Sequence, residues 1–250
     1  LTCHDSDNFV VSVRTSTNHQ LGLSREINPG LTKIKIDGQR HSKLSVLAKN
    51  IAIQIVTPES FKLFFGGPRE RRRFIDLGMF HVKHDFPNLW KDFNRVLKQR
   101  NAIIRSGCNF NDIKNNSMLD YWTEQFCKLS IEVSKLRADY VSDIITELNY
   151  WLAILLPNLK ERVTVQFLKG WSQKNNLIDV LNRNKDREIS YGFSLYGAHK
   201  FDIKFLLDKK VIETQLSRGQ QKLFLLALTF AQASFISRVK LVKPILLIDD

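Results

Sequence analysis

The chain has 250 residues, of which 43% are hydrophobic and 25% charged, and it carries a formal net charge of +13. Those proportions belong to a globular protein with a sizeable core, and they exclude disordered, collagen-like and disulfide-scaffold classes. The positive excess favours contact with phosphate backbones or anionic surfaces, unless it is simply spread over the whole exterior.

Cys3, Cys108 and Cys127 are odd in number, widely spaced and in no metal-binding pattern, which points to reduced thiols in a cytosolic protein. His81 and His84 lie three apart, but no second ligand pair accompanies them and zinc is not expected. The longest apolar run, residues 150–156, is too short to cross a bilayer, and no signal peptide is visible. The chain opens on Leu1 without a methionine and stops on Asp250, which reads as a piece of something longer.

In chain order, residues 9–14, 21–23 and 32–36 alternate as strands, and Asp37-Gly38 supplies a turn, giving a small antiparallel sheet. A short helix is expected over 42–50, a buried strand over 51–56, and a helix opening at Thr57-Pro58-Glu59. From 68 to 156 the period becomes helical. Gly66-Gly67-Pro68 marks a break before a first helix, and a second runs over 88–105. In the third, Leu119, Trp122, Phe126, Leu129, Val133, Leu136 and Tyr140 step by three and four, a stripe suited to a helical lobe or a short coiled coil. Pro157 stops it. A strand follows at 163–168, a helix near 177–182, strands at 192–196 and 201–207, and a helix apolar nearly all round at 223–230. Trp90, Trp122, Trp151 and Trp171 read as core anchors. Sheet segments flanking a helical middle predict an α/β core with an inserted helical domain. The expected divisions are 1–66, 67–190 and 191–250.

Two segments carry chemistry. Ser217-Arg218-Gly219-Gln220 stands at the entry to the apolar helix, where backbone N–H groups and the helix dipole can meet a phosphate and Gly219 lets the backbone come close. Alone it is equally an ordinary N-cap. Residues 244–248 form an apolar strand, expected to be buried, that ends on Asp249 and Asp250. There one carboxylate can hold Mg²⁺ and the next can orient or deprotonate an attacking water. Alone it is equally a core strand running into a turn. Together, in this order, the two segments point to an ATPase that clamps nucleotide between two subunits.

The basic cluster Arg69, Arg71, Arg72 and Arg73, extended by Lys98, Arg100 and Arg105, reads either as a face for DNA phosphates or as a solvated helix start. Arg72 and Asp76 have the i, i+4 spacing of an ion pair. No motif for reading base edges occurs, so DNA shape rather than sequence is the expected target. His199 reads first as a brace for its own turn.

The segment Gly66-Gly67-Pro68-Arg69-Glu70-Arg71-Arg72-Arg73-Phe74-Ile75-Asp76 resembles the Gly-x-Pro-x-x-Arg-Arg-x-Phe-Leu-Asp element of the bacterial RecF family. Lys98-Gln99-Arg100-Asn101 is similar to that family's helix motif, and Gly197-Ala198-His199-Lys200 with Asp202 to its Gly-Pro-His element, with Ala198 in place of proline. The Ser217 signature and the strand ending in Asp249-Asp250 complete the set in family order. The resemblance implies an ABC-type ATPase lobe related to SMC proteins, with a mixed sheet, an antiparallel subdomain and an inserted helical domain. It implies an ATP-driven homodimer on single-stranded or gapped duplex DNA, acting with RecO and RecR to load RecA and supporting replication and the SOS response. By the same resemblance Ser217, Gly219 and Gln220 face the γ-phosphate of ATP bound by the opposite subunit. Asp249 assists Mg²⁺, Asp250 is catalytic, and Gln54 stands near the Q-loop position.

The phosphate loop Gly-x-x-x-x-Gly-Lys-[Ser/Thr] occurs nowhere in the 250 residues. It is expected upstream of Leu1, so these residues alone should bind ATP poorly. Two other readings are carried forward: a basic DNA- or partner-binding module without hydrolysis, and another ABC-type ATPase.

Overall fold

The computed structural model describes residues 6–15, 18–28, 30–42, 47, 51–106, 113–241 and 243–249. Cys3, Cys108, Asp250 and most of the helix expected over 42–50 lie outside them. The chain divides into two compact units, Leu1–Ile53 and Gln54–Asp250. Within the second unit, the helices of 67–190 share a hydrophobic core with residues 56–64 and 198–235.

The first unit is a meander of β1 (Asn8–Arg14), β2 (Gln20–Glu26), β3 (Thr32–Ile36) and β4 (Gln39–His41), every pair antiparallel. Asp37 and Gly38, both at positive φ, make the tight turn between β3 and β4. Leu21 and Ile34 bury their side chains on this sheet, as strand alternation requires.

β5 (Ile53–Val56) begins at the boundary of the two units, and in the second it runs through a 3₁₀ turn at Pro58–Phe61 into the short helix α1 (Lys62–Phe65). The helices α2 (Pro68–Val82), α3 (Phe86–Arg105) and α4 (Ile113–Leu155) follow. Pro at the first helical turn suits the starts of α2 and α3. Within α4 the stripe predicted from sequence turns inward: Leu119, Phe126, Val133 and Tyr140 are buried, and Trp122, Leu129 and Leu136 lie half-buried against the same core. It is therefore the seam of a helical lobe, continued by Ile144, Leu148 and Leu152.

After α4 come β6 (Val163–Leu168), α5 (Leu177–Arg183), α6 (Lys185–Tyr191), β7 (Asp202–Leu207) and β8 (Lys210–Val211), with β6, β7 and β8 forming an antiparallel sheet. The strand predicted over 192–196 is absent. Gly192 adopts the left-handed conformation that ends α6, and a bent segment leads to Gly197. Last come α7 (Arg218–Lys240) and β9 (Ile245–Ile248).

α7 is long and apolar enough to span a membrane by length and composition, but 56% of that window is buried inside the protein. It packs on α2 and α4, and Gly78 is what lets the three approach. A Cβ there would lie 1.8 Å from Tyr140 Oη and 2.3 Å from Gln232 Nε2.

Candidate functional site

β9 pairs with β5, and the Asp249 N–H donates to the Val56 carbonyl at 2.8 Å. Gln54 thus lies on β5, and Asp249 directly follows its neighbour β9. Gln54 is buried, and its Nε2 has no hydrogen-bond partner among the described residues. A buried amide donor left open in this way fits an external acceptor. Asp249 is exposed.

β9 itself differs from expectation. Its four apolar side chains are between 39% and 53% exposed, because β5 is its one strand neighbour among the described residues. β5 likewise buries Gln54 and Val56 while exposing Ile53 and Ile55.

Ser217 caps α7. Its Oγ accepts from Gln220 N at 3.3 Å, while Gln220 Oε1 accepts from Ser217 N at 3.0 Å, a closed capping box. The Ser217 hydroxyl keeps its own proton free to donate outward. Ser217, Arg218 and Gly219 are exposed, and nothing lies within 4 Å of a Cβ built at Gly219. A phosphate can thus approach the unpaired N–H groups of the first turn. Polar groups are thus offered at the β5–β9 strand ends and, separately, at the α7 tip, while no group of three or more His, Cys, Asp or Glu among the described residues could by itself hold a metal ion.

The basic helix behaves differently. Arg71 is 8% and Arg100 2% exposed, and both are consumed internally. Arg71 makes a two-pronged pair with Asp202, Nε to Oδ1 at 2.8 Å and Nη2 to Oδ2 at 2.9 Å. Arg100 donates to Thr123 Oγ1, Ser194 Oγ and Glu188 Oε2 at 3.0, 2.6 and 2.7 Å. Neither guanidinium can face DNA, which corrects the expectation for these two. The Arg72–Asp76 pair does not form as drawn either. Asp76 takes both prongs of Arg137, at 2.9 and 3.0 Å, while Arg72 donates to the Phe201 carbonyl at 3.0 Å.

These bonds converge on residues 194–202. Asn101 Oδ1 accepts from Ser194 N, Glu188 Oε1 from Leu195 N, and the Ala198 carbonyl from Arg137 Nη1. Gly197 sits at φ 135°, where a Cβ would come within 2.4 Å of the Phe126 ring. His199 braces this turn through Nε2 to the Ser194 carbonyl at 2.9 Å. Burial pushes the imidazole down to about 4, so it is neutral at physiological pH.

What stays outside is Arg69, Arg73 and Lys98, all exposed, with half-buried Arg72 beside them. Arg69, Arg72 and Arg73 line a cleft of about 440 Å³ with Glu70, Asp76, Trp90, Asn94 and His199. Asp76 is neutralised by Arg137, so the cleft is net positive. Sequence reasoning missed Arg137, Glu188 and Ser194 as the frame of this region. Arg137 had a signal, since it lies on the buried stripe between Val133 and Tyr140, where a cation must find a carboxylate.

The second unit is thus α/β, with Asp249 at a strand end and Ser217 at an exposed, capped helix tip. No family model matches the chain. The DNA replication and repair protein RecF of Colwellia psychrerythraea is 62% identical over 250 residues, covering all of this chain and 65% of that protein. RecF of Pseudoalteromonas translucida is 38% identical, with 100% and 68% covered, and RecF of Shewanella denitrificans 33%, with 99% and 67%. The chain belongs to the RecF family. It spans about two thirds of the length of these relatives. The solved structure of the recombination mediator protein RecF with ATP, in the RecFOR pathway, superposes with a TM-score of 0.85 at 20% identity, covering 99% of this chain and 68% of that one. That likeness shows the fold.

Proposed function

We propose that the chain is part of a DNA replication and repair ATPase of RecF type, cytoplasmic, which closes as an ATP-dependent homodimer on single-stranded or gapped duplex DNA. In this reading it works with RecO and RecR to load RecA and supports the SOS response. The observation that carries it is the bond from the Asp249 N–H to the Val56 carbonyl, which sets the end of β9 beside the strand that carries Gln54, with the capped, exposed tip of α7 in the same unit. The family and the ATP-bound relative support it.

Gln54 and Asp249 serve the protomer's own nucleotide and Mg²⁺. Ser217, Gly219 and Gln220 serve the partner's. Bound Mg²⁺ supplies charge neutralisation at the phosphates. Asp249 would hold it from the strand end, and Asp250 would orient or deprotonate the attacking water. Ser217 donates its hydroxyl outward while its oxygen holds the helix start. DNA contact falls to Arg69, Arg72, Arg73 and Lys98, with the helices of 67–190 acting as lid or arm.

Ser217→Arg tests the reading in the protein at its full natural length. The guanidinium fills the space before the α7 tip, so ATP-driven dimerisation should be lost in sedimentation while nucleotide binding by the monomer stays within about twofold. Dimers forming normally with ATP would remove the α7 tip from the site.

A further inference from the structure

Arg71 joins the two nucleotide-facing parts of the second unit. Besides its fork on Asp202, its Nη1 lies 3.4 Å from the Phe64 carbonyl, at the end of α1, and 3.8 Å from Glu213 Oε1. α1 continues from β5, which carries Gln54. Glu213 belongs to the 3₁₀ turn Ile212–Thr214, which leads into Ser217. That turn is tied to α7 by Gln221, whose Nε2 donates to the Glu213 and Leu216 carbonyls, both at 3.1 Å. Ile212 and Leu216 are buried, so the loop has little freedom of its own.

We propose that Arg71 is a positioning residue that sets the α7 tip in register with the β5–α1 segment. The inference rests on the reading of Ser217 and Gly219 given above. Three of the groups around the guanidinium come from three separate segments, and its rigid fork fixes their mutual distances. A lysine carries the same charge but has no planar fork, so it can satisfy Asp202 only at one point. Arg100 and Arg137 are buried more deeply still, but their partners lie on α4, α6, residue 76 and the 194–198 turn, away from the path to Ser217. A loss of general stability and a loss of registration can therefore be told apart.

The experiment compares Arg71→Lys with Arg100→Lys in the full-length protein. Without nucleotide, hydrogen exchange in Arg71→Lys should quicken about tenfold over residues 62–66 and 212–221, and in Arg100→Lys over 186–196 instead. With ATP, Arg71→Lys should need about tenfold more nucleotide to dimerise, and Arg100→Lys should dimerise as the parent does. Asp202→Asn, which keeps the shape of the pair, should reproduce Arg71→Lys if the lysine variant folds poorly. Equal effects of the two lysine variants on dimerisation, or unchanged exchange over 212–221, would overturn the assignment. If the parent protein itself failed to dimerise with ATP, the signature reading would fall, and the exchange pattern alone would decide whether Arg71 registers the α7 tip.

Discussion

Removing the Asp76 carboxylate leaves the Arg137 guanidinium charged and 0% exposed in the middle of the helical core. Arg137 is held by two bonds from Asp76, by the Ala198 carbonyl at 2.6 Å, and between the rings of Trp90 and Phe201, whose centroids lie 4.8 and 3.8 Å from its central carbon. Burial disfavours both charges, pulling Arg137 down and pushing Asp76 up; their mutual attraction opposes it, with Arg72 adding to the hold on Asp76. Deleting one partner of such a pair costs about 3–5 kcal/mol, and the two ring contacts retain roughly 1–2 kcal/mol between them. At roughly 2–4 °C per kcal/mol for a protein of this size, Asp76→Ala should lower Tm by roughly 6–20 °C. Trp90, Trp122, Trp151 and Trp171 all lie in the second unit, so tryptophan fluorescence in urea follows that unit alone. The double change Asp76→Leu with Arg137→Met should recover most of the loss, because an apolar pair of similar volume has no charge to desolvate. A cost below about 1 kcal/mol for Asp76→Ala, the value of an exposed pair, or a double variant as weak as the two single losses added, would refute the argument.

His199 makes the stability of the same region depend on pH. An unfolded histidine takes up its proton near 6.5 and the native one near 4, so stability present above pH 6.5 is lost as pH falls towards 4, roughly 2 kcal/mol by pH 5. The urea midpoint should fall between pH 7.5 and 5.0, and His199→Gln should flatten that fall; an identical slope in the variant would clear His199 of the effect. Arg69→Ala and Arg73→Ala should each reduce the dependence of log affinity on log salt by about 0.9 for duplex or about 0.7 for single-stranded DNA. An unchanged slope, read by fluorescence anisotropy across a salt series, would take DNA off this helix.

The parts legible in the sequence were those set by local periodicity and by turn or cap chemistry. The stripe from Leu119 to Tyr140, the Asp37-Gly38 turn, the strands over 163–168 and 202–207 and the Ser217 cap all follow from spacing and residue type. Gly192 was the main misreading. Residues 192–196 look like a strand by composition, but a glycine after seven helical residues serves as a helix stop, and α6 went unseen because it carries four charged residues and few apolar ones. The exposure of β9 was beyond local reading, since an apolar run says that a strand seeks cover without saying which layer supplies it.

The basic motifs show why charge counting along a sequence misplaces a binding face. On α2 the four arginines at 69, 71, 72 and 73 are spread around the helix at about 100° per residue, so one face holds 69 and 73 and another 71. The inward side meets Asp202, a carboxylate 131 residues away in sequence, and no local pattern announces that partner. The same holds on α3, where Arg100 points into the protein towards Glu188 while Lys98 stays outside. A guanidinium with five donors can bind a carboxylate and a carbonyl together, and Arg71, Arg100 and Arg137 each spend those donors on buried oxygen acceptors. The cations left for phosphate are the ones whose guanidinium or ammonium is not engaged by a carboxylate hydrogen bond inside the protein. By that criterion Arg69, Arg72, Arg73 and Lys98 remain candidates, and the cleft bordered by the three arginines gains a stronger positive field because Arg137 has already cancelled Asp76.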